Sequence, residues 1–479
     1  MTRNFSTIRV WIGLAFALAT LLGCAVGLRY EPPAPLDGAQ GPLVSLKPTA
    51  ETTALPPDAW WQLYHDALLD QLLQQAFAAN NDLKAAEANL SAARAVLEGV
   101  KAARYPSTTL EAGGIYGRDP VTEEILELGG HRPANTWIFD TVLDVSYEVD
   151  LFGYVRRSVE ASRADAAANA ALRDAIKITV AAETARAYAQ ICALGEQLAV
   201  AHHSLDVVSR EAEITVQRHE AGANSEFDVV RARGLVAQVR AGIPPLEGQR
   251  KAALFELATL LGRAPSRAPL EALACVQPPQ LDALIPVGDG VELLRRRPDV
   301  RQAERRVAGA TARIGVATAD LYPRISLTGF FGGASATLPE LTMNVGRAWG
   351  VGPSIKWSFP NQAGPRARVQ QAKANASAAL AGFDSAVLGA LKETEQSLAI
   401  YGTELDRRQA LADAQVQAQK AFDLAHGQFL AGALTQLELL ITEQSLIAID
   451  ASVAASDAAL VQDQIALFKA LGGGWRENR

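Results

Sequence analysis

Enzymatic chemistry needs nucleophiles, acid–base pairs or metal ligands at workable spacings, and this chain offers few of them. Its six histidines, His65, His131, His202, His203, His219 and His426, are scattered. None sits in a His-Glu-x-x-His repeat, and neither a phosphate-cradling glycine-lysine loop nor a Gly-x-Ser-x-Gly elbow occurs. The adjacent His202 and His203 read as a solvated helix surface, and Gly350-Val351-Gly352 lies in a strand pattern rather than opening a helix. No catalytic residue, metal ligand or cofactor is expected. Cysteine carries the remaining reactive chemistry. Cys192 falls in an Ala-rich helical stretch and Cys275 in a Pro-rich connector. Sequence does not give their separation, so they could pair in an oxidising compartment; two unpaired thiols is the expected state.

Cys24 stands apart because of what precedes it. Arg3 and Arg9 lead into an apolar run from Val10 to Leu22 that closes on Leu21-Leu22-Gly23-Cys24. A run of roughly 13 residues spans about 20 Å as a helix, short of a bilayer core of about 30 Å. It reads as a signal peptide. Its last four residues resemble a lipobox, which implies cleavage before Cys24, diacylglycerol on the Cys24 sulfur and an acyl group on the new amino terminus. Ala25 follows rather than Asp, so the usual inner-membrane retention signal is missing. Several acyl chains anchor where one does not. After this segment no other run is expected to form a membrane helix, so any crossing must be made by β-strands closed into a barrel.

Composition narrows the field further. The 479 residues are 49% hydrophobic but only 6% aromatic, so alanine dominates the apolar count. With 20% charged residues and a formal net charge of -7, the chain is neither disordered in composition nor basic enough for nucleic acid.

The elements that position these residues come in two copies. Asn81-Asp82-Leu83-Lys84-Ala85-Ala86-Glu87 recurs as Pro298-Asp299-Val300-Arg301-Gln302-Ala303-Glu304, and Tyr105-Pro106 recurs as Tyr322-Pro323, both 217 residues on. Ala221-Gly222-Ala223 recurs as Ala431-Gly432-Ala433, and Leu261-Gly262 as Leu471-Gly472, both 210 residues on. Two constant offsets mean a duplication with one seven-residue length difference, located between Pro106 and Tyr147 in the first copy. The expected organisation is a signal peptide over 1–23, a lipidated extended segment over 24–65, a first repeat over 66–265, a connector over 266–290 and a second repeat over 291–475.

Each repeat reads as helix, paired strands, long helix, turn and returning helix. Phe139, Thr141, Leu143, Val145, Tyr147 and Val149 alternate with Asp140, Val142, Asp144, Ser146, Glu148 and Asp150. Trp349, Val351 and Ile355 likewise alternate with Gly350, Gly352, Ser354 and Lys356. Period two suits strands between lipid and water, with Asp140, Asp144, Ser146, Glu148, Ser354 and Lys356 facing the lumen. A half-buried soluble sheet gives the same alternation. Four strands cannot close a membrane barrel, since about eight is the minimum. Three chains would supply 12 and leave a lumen. From about Arg156 to Gly222 the pattern is helical for roughly 65 residues, near 100 Å. Beyond the second turn Leu440, Ile447, Ala454, Val461 and Phe468 recur every seven residues, with Glu443, Asp450, Asp457 and Gln464 on what reads as the opposite row. A strict heptad implies a left-handed coiled coil, and Pro244-Pro245 should kink the return helix of the first copy.

Together these segments resemble the outer-membrane factors of the TolC family, in particular the NodT-type lipoprotein branch serving resistance-nodulation-division (RND) pumps. The most specific part is Arg296-Arg297-Pro298-Asp299-Val300-Arg301-Gln302-Ala303-Glu304, supported by Trp60-Trp61, Tyr147-Glu148-Val149-Asp150-Leu151-Phe152-Gly153 and Pro244-Pro245-Leu246-Glu247. The resemblance implies an α+β fold: a homotrimeric outer-membrane β-barrel of four strands per chain, continued by a periplasmic α-helical coiled-coil barrel. It also implies passive export of small molecules, with a periplasmic adaptor and an inner-membrane RND-type transporter as partners. The tip turns map onto Gly222-Ala223-Asn224-Ser225 and Gly432-Ala433-Leu434-Thr435. Some relatives carry a carboxylate just after the second glycine. Here Ala433, Leu434 and Thr435 follow, which leaves an apolar constriction at Leu434 as an alternative gate. Two rival readings remain at this stage. One is a channel for type I protein secretion; the other is a pore-less, lipid-anchored periplasmic scaffold.

Overall fold

The computed structural model describes residues 26–34, 36–39, 41, 43–45, 57–117, 135–281, 285–288, 290–342 and 347–473. Cys24 and the signal-peptide segment lie outside the described residues. The elements run α1 (Ala67–Ala79), α2 (Asn81–Ala102), β1 (Ser107–Gly117), β2 (Thr136–Val149), α3 (Tyr154–Glu220), α4 (Glu226–Ala241), α5 (Ile243–Leu260), α6 (Gly290–Arg296), α7 (Pro298–Ala319), β3 (Arg324–Ser335), β4 (Arg347–Lys356), α8 (Ala363–Leu430) and α9 (Gln436–Ala470). The duplication is visible in the bounds themselves. α2 and α7 each have 22 residues and begin 217 positions apart, while α5 and α9 end 210 positions apart. As Pro244-Pro245 requires, the return path of the first copy breaks at Gly242, with proline in the first turn of α5.

The chain forms two compact units, one from Met1–Pro33, Leu90–Ala168 and Ala303–Phe383, the other from Ala34–Asn89, Asn169–Gln302 and Asp384–Arg479. The first carries a four-stranded antiparallel meander in the order β1-β2-β3-β4. The second carries the larger core. There the Trp60 ring is fully buried and stacks on Phe468 at 4.8 Å, over Leu69, Leu72, Leu73, Ile191, Leu257 and Leu467. Each such side chain contributes about 1.5–3 kcal/mol by leaving water. α1 enters this core because Asp66 caps it, accepting from the amides of Leu68 and Leu69, and its period-3.6 face buries Leu69, Leu72, Leu73 and Ala76.

The Arg296-Arg297-Pro298-Asp299 motif acquires a structural role. Arg297 donates to the Ala470 carbonyl at 2.9 Å and to the carboxylates of Asp299 and Glu393 at 2.7 Å. Arg296 donates to the Gly472 carbonyl at 3.3 Å and to Asp58. Asn80, the counterpart of Arg297 in the first copy, donates to the Leu260 carbonyl at 3.0 Å. Both copies therefore tie off the orphan carbonyls at the end of their returning helix with the same sequence position.

Two expectations are corrected. Cys192 and Cys275 form a disulfide, with Cα atoms 4.8 Å apart. The connector approaches closely because Gly195 has no side chain: a Cβ there would sit 2.6 Å from the Cys275 carbonyl oxygen. Arg250 holds the approach by donating to the carbonyls of Ile191, Leu273 and Cys275. Second, the polar heptad row of α9 faces inward: Glu443 is 1% and Gln464 5% exposed. A position three residues after Leu440 or Val461 falls on the same side of the helix, the d row beside the a row. By length and composition alone, α8 and α9 each contain an 18-residue window apolar enough for a bilayer, with mean hydropathy 1.2 and 1.3. Spanning by α9 would bury Glu443, Asp450 and Asp457 at heptad intervals in hydrocarbon, at a cost that coiled-coil packing avoids.

Candidate functional site

Two surfaces could carry function, one in each unit. The first is the sheet. Residues paired across an antiparallel ladder point to the same face. The register pairs Asp144 with Thr109 and Phe330, Ser146 with Ser107 and Thr328, and Glu148 with Ser326. It also pairs Ser326 with Ser354 and Arg324 with Lys356. Asp140, Asp144, Ser146, Glu148, Ser354 and Lys356 thus share one face, as the alternation predicts. Ile115, Ile138, Val142 and Phe330 are the large apolar side chains on it. The opposite face gathers Leu110, Leu143, Phe331 and Trp349 on one central rung, flanked by Tyr116 and Trp137 towards one end and by Val145, Tyr147, Leu327 and Ile355 towards the other. Its members are exposed, from 37% at Val145 to 73% at Trp349. Nothing within the chain covers this apolar face among the described residues.

The chain just after Cys24 meets the sheet-bearing unit at one end of the strands. The Val26 amide donates to the Phe152 carbonyl at 3.1 Å, three residues beyond the end of β2. Gly27 lies against Gly315, where a Cβ would come within 2.6 Å of the Gly315 Cα, and Tyr30 donates its hydroxyl to Glu304 at 2.9 Å.

The second surface is the pair of helical turns in the other unit. Gly222 and Gly432 adopt φ of 77° and 73°, which glycine alone enters without strain. Each ends its helix in the same double bond pattern. Gly222 donates to the His219 carbonyl and Ala223 to that of Arg218; Gly432 donates to Phe429 and Ala433 to Gln428. The next helix starts on a capping box, Ser225 with Asp228 and Thr435 with Glu438. The Thr435 hydroxyl and amide, both donating to Glu438, hold its carboxyl below the usual range. Gly222, Ala223, Ser225, Gly432, Ala433 and Thr435 are exposed, while Asn224 and Leu434 are half-buried.

Sequence reasoning missed what joins the two turns. The Arg218 guanidinium lies 4.1 Å from the Phe429 ring centroid, and Gln436 donates to the Thr215 hydroxyl at 2.9 Å in a buried site. Behind them Val208, Leu235 and Leu440 form a small apolar cluster. It also missed an exposed apolar fringe on the tip helices: Phe227 at 71%, Val230 at 61%, Leu430 at 59% and Ile441 at 52%. The available signal was duplication, since Phe227 and Leu437 occupy the same position two residues into each capped helix. Among the described residues no group of three or more His, Cys, Asp or Glu side chains is placed to hold a metal ion.

This geometry has clear counterparts. The family model described as outer membrane efflux protein matches residues 72–263 and 290–473. The pyoverdine export outer membrane protein OpmQ of Pseudomonas putida is 32% identical, over 95% of this chain and 96% of its own. Nodulation protein T of Rhizobium leguminosarum bv. trifolii is 29% identical over 95% of both chains. Among solved structures, the outer-membrane channel OprN superimposes with a TM-score of 0.87 at 34% identity, covering 94% of this chain and 100% of that one.

Proposed function

Because the chain belongs to the outer membrane efflux protein family, we propose that three copies close their sheets edge to edge into one 12-stranded barrel. This barrel is the outer-membrane exit of a tripartite pump. The observation that carries the reading is the sheet itself: four strands with one exposed aromatic and aliphatic face and one polar face. Exposed apolar area of that kind in a soluble scaffold would aggregate, whereas lipid solvates it. The polar face, with Asp140, Asp144, Ser146, Glu148, Ser354 and Lys356, then lines the lumen. Cys24 carries the lipid anchor; the hydrogen bond from the Val26 amide to the Phe152 carbonyl, at one end of the strands, supports an anchor point close to the membrane surface.

α3 and α8, of 67 and 68 residues, are each near 100 Å long and carry the duct into the periplasm. Their turns at Gly222–Ser225 and Gly432–Thr435, with the apolar fringe of Phe227 and Leu437, receive a periplasmic adaptor, through which an inner-membrane RND-type transporter delivers small molecules. The duct itself is passive. OpmQ is named for export of pyoverdine, which supports cargo of small-molecule size rather than a secreted protein.

Photo-cross-linking amino acids at Ala433 or Phe227 in living cells should yield covalent adducts with a periplasmic adaptor. Adducts with other copies of this chain alone would overturn the docking assignment. Deleting the gene should raise retention of small fluorescent dyes. Mass spectrometry of the mature amino terminus should show a diacylglyceryl Cys24, and an unmodified start elsewhere would remove the anchor.

A further inference from the structure

Behind the tip turns lies a group that nothing in the export path explains. Glu443, in the second turn of α9, is 1% exposed, and neither carboxyl oxygen has a hydrogen-bond partner among the described residues. Glu211 of α3 is 6% exposed, and one of its oxygens is likewise without a partner. A buried carboxylate with no counter-charge is far less stable than the neutral acid. Burial first, and the Glu211 carboxyl second, raise the Glu443 pKa to about 7. Burial also raises that of Glu211, opposed by His426 and Arg218.

The surroundings decide what a proton does here. From α3 the charged groups are Glu211 and Arg218; from α8 the titratable group is His426, whose Nε2 lies 3.5 Å from Glu211 Oε1. α4 contributes the apolar side chains Leu235, Val236 and Val239 to the same packing. α3 and α4 form the first hairpin of the chain, α8 and α9 the second. Glu211 and Glu443 therefore face each other across the joint between the two hairpins, just behind the Arg218–Phe429 and Gln436–Thr215 contacts.

We propose that Glu443 and Glu211 form a protonation-dependent latch, which holds the two hairpins together at the tip when Glu443 is protonated and loosens them when it ionises. Protonated, Glu443 adds no charge to the joint beside Glu211. Ionised, Glu443 sets a second negative charge beside Glu211 in a poorly solvated space, where repulsion is weakly screened. The sign follows from linkage. The packed joint binds the Glu443 proton more tightly than an opened, hydrated one, so the contact is strongest in acid and weakens as pH rises towards and through about 7. The periplasm follows the external medium more closely than the cytoplasm does, so the latch would report external pH. Its location at the tip makes it a modulator of opening, an assignment that rests on the tips being the closing point.

The test is amide hydrogen exchange of the full-length trimer in lipid nanodiscs at several pH values from 5.5 to 8, corrected for intrinsic rates. Protection of peptides covering 205–229 and 426–447 should fall at least tenfold across that range, against a ceiling of tenfold per pH unit for one proton. Glu443→Gln should remove most of the pH dependence and hold protection near the acid value; Glu211→Gln should reduce it. The exposed Glu213→Gln should behave as wild type. Flat protection in the wild-type protein, or an unchanged pH dependence in Glu443→Gln, would overturn the latch. Conductance measured in parallel separates the two claims. If exchange shifts with pH as described while conductance stays flat, the latch stands and the tip is not the closing point.

Discussion

If the apolar sheet face meets lipid, arginine at Leu143 and at Asp144 should have opposite consequences although the two are neighbours. Leu143 lies on the rung with Leu110, Phe331 and Trp349, well inside β2, and is 39% exposed within the chain. Asp144 points to the other face, opposite Thr109 and Phe330. Arginine at the midplane of a lipid-facing strand costs about 2–4 kcal/mol. At 1.36 kcal/mol per factor of ten, that is roughly 30- to 900-fold per chain, and in the proposed assembly three chains share each barrel. Asp144→Arg faces water and should cost little, though it changes the charge of the lumen. The assay is the yield of folded trimer in the outer-membrane fraction, with its resistance to guanidinium. Leu143→Arg should lose most of both, and Asp144→Arg should keep them while altering ion preference in planar bilayers. Equal effects would refute the assignment of faces.

The Cys192–Cys275 bond closes a loop of 83 positions, which the chain-entropy account values at about 4.5 kcal/mol. Alkylation of unreduced, denatured protein should leave both thiols unmodified, and the Cys192→Ala, Cys275→Ala double variant should unfold at clearly lower temperature. Gly262→Ala should destabilise more than Gly432→Ala. Both positions have positive φ, worth about 1–2 kcal/mol, but a Cβ at 262 would sit 2.6 Å from the Ala79 carbonyl oxygen while that at 432 meets open space. Thermal unfolding of the two variants ranks them. In the proposed trimer Leu434→Asp would set three like charges at the tip, so single-channel conductance should rise; a wild-type value would assign Leu434 to packing alone.

Much of the fold could be read because the sequence states it twice. The offsets of 217 and 210 located equivalent helices, turns and caps, and period two placed every lumen candidate on one sheet face. What stayed hidden depends on meetings between distant segments. The Cys192–Cys275 approach needs Gly195 and Arg250, neither of which signals the other in sequence. Glu443 looked outward because an acidic residue is normally solvated. Its place in the d row was already fixed by the spacing from Leu440, so the heptad should have outweighed residue type. The Arg218–Phe429 and Gln436–Thr215 contacts join turns more than 200 residues apart, beyond any local pattern.

The proposed exit duct requires three chains closing one pore. Its most direct test is native mass spectrometry of the detergent-extracted mature protein, with the same preparation reconstituted in planar bilayers. The predicted result is a mass of three lipidated chains and discrete conductance steps. A mass of one or two chains, or trimers that never conduct, would contradict it.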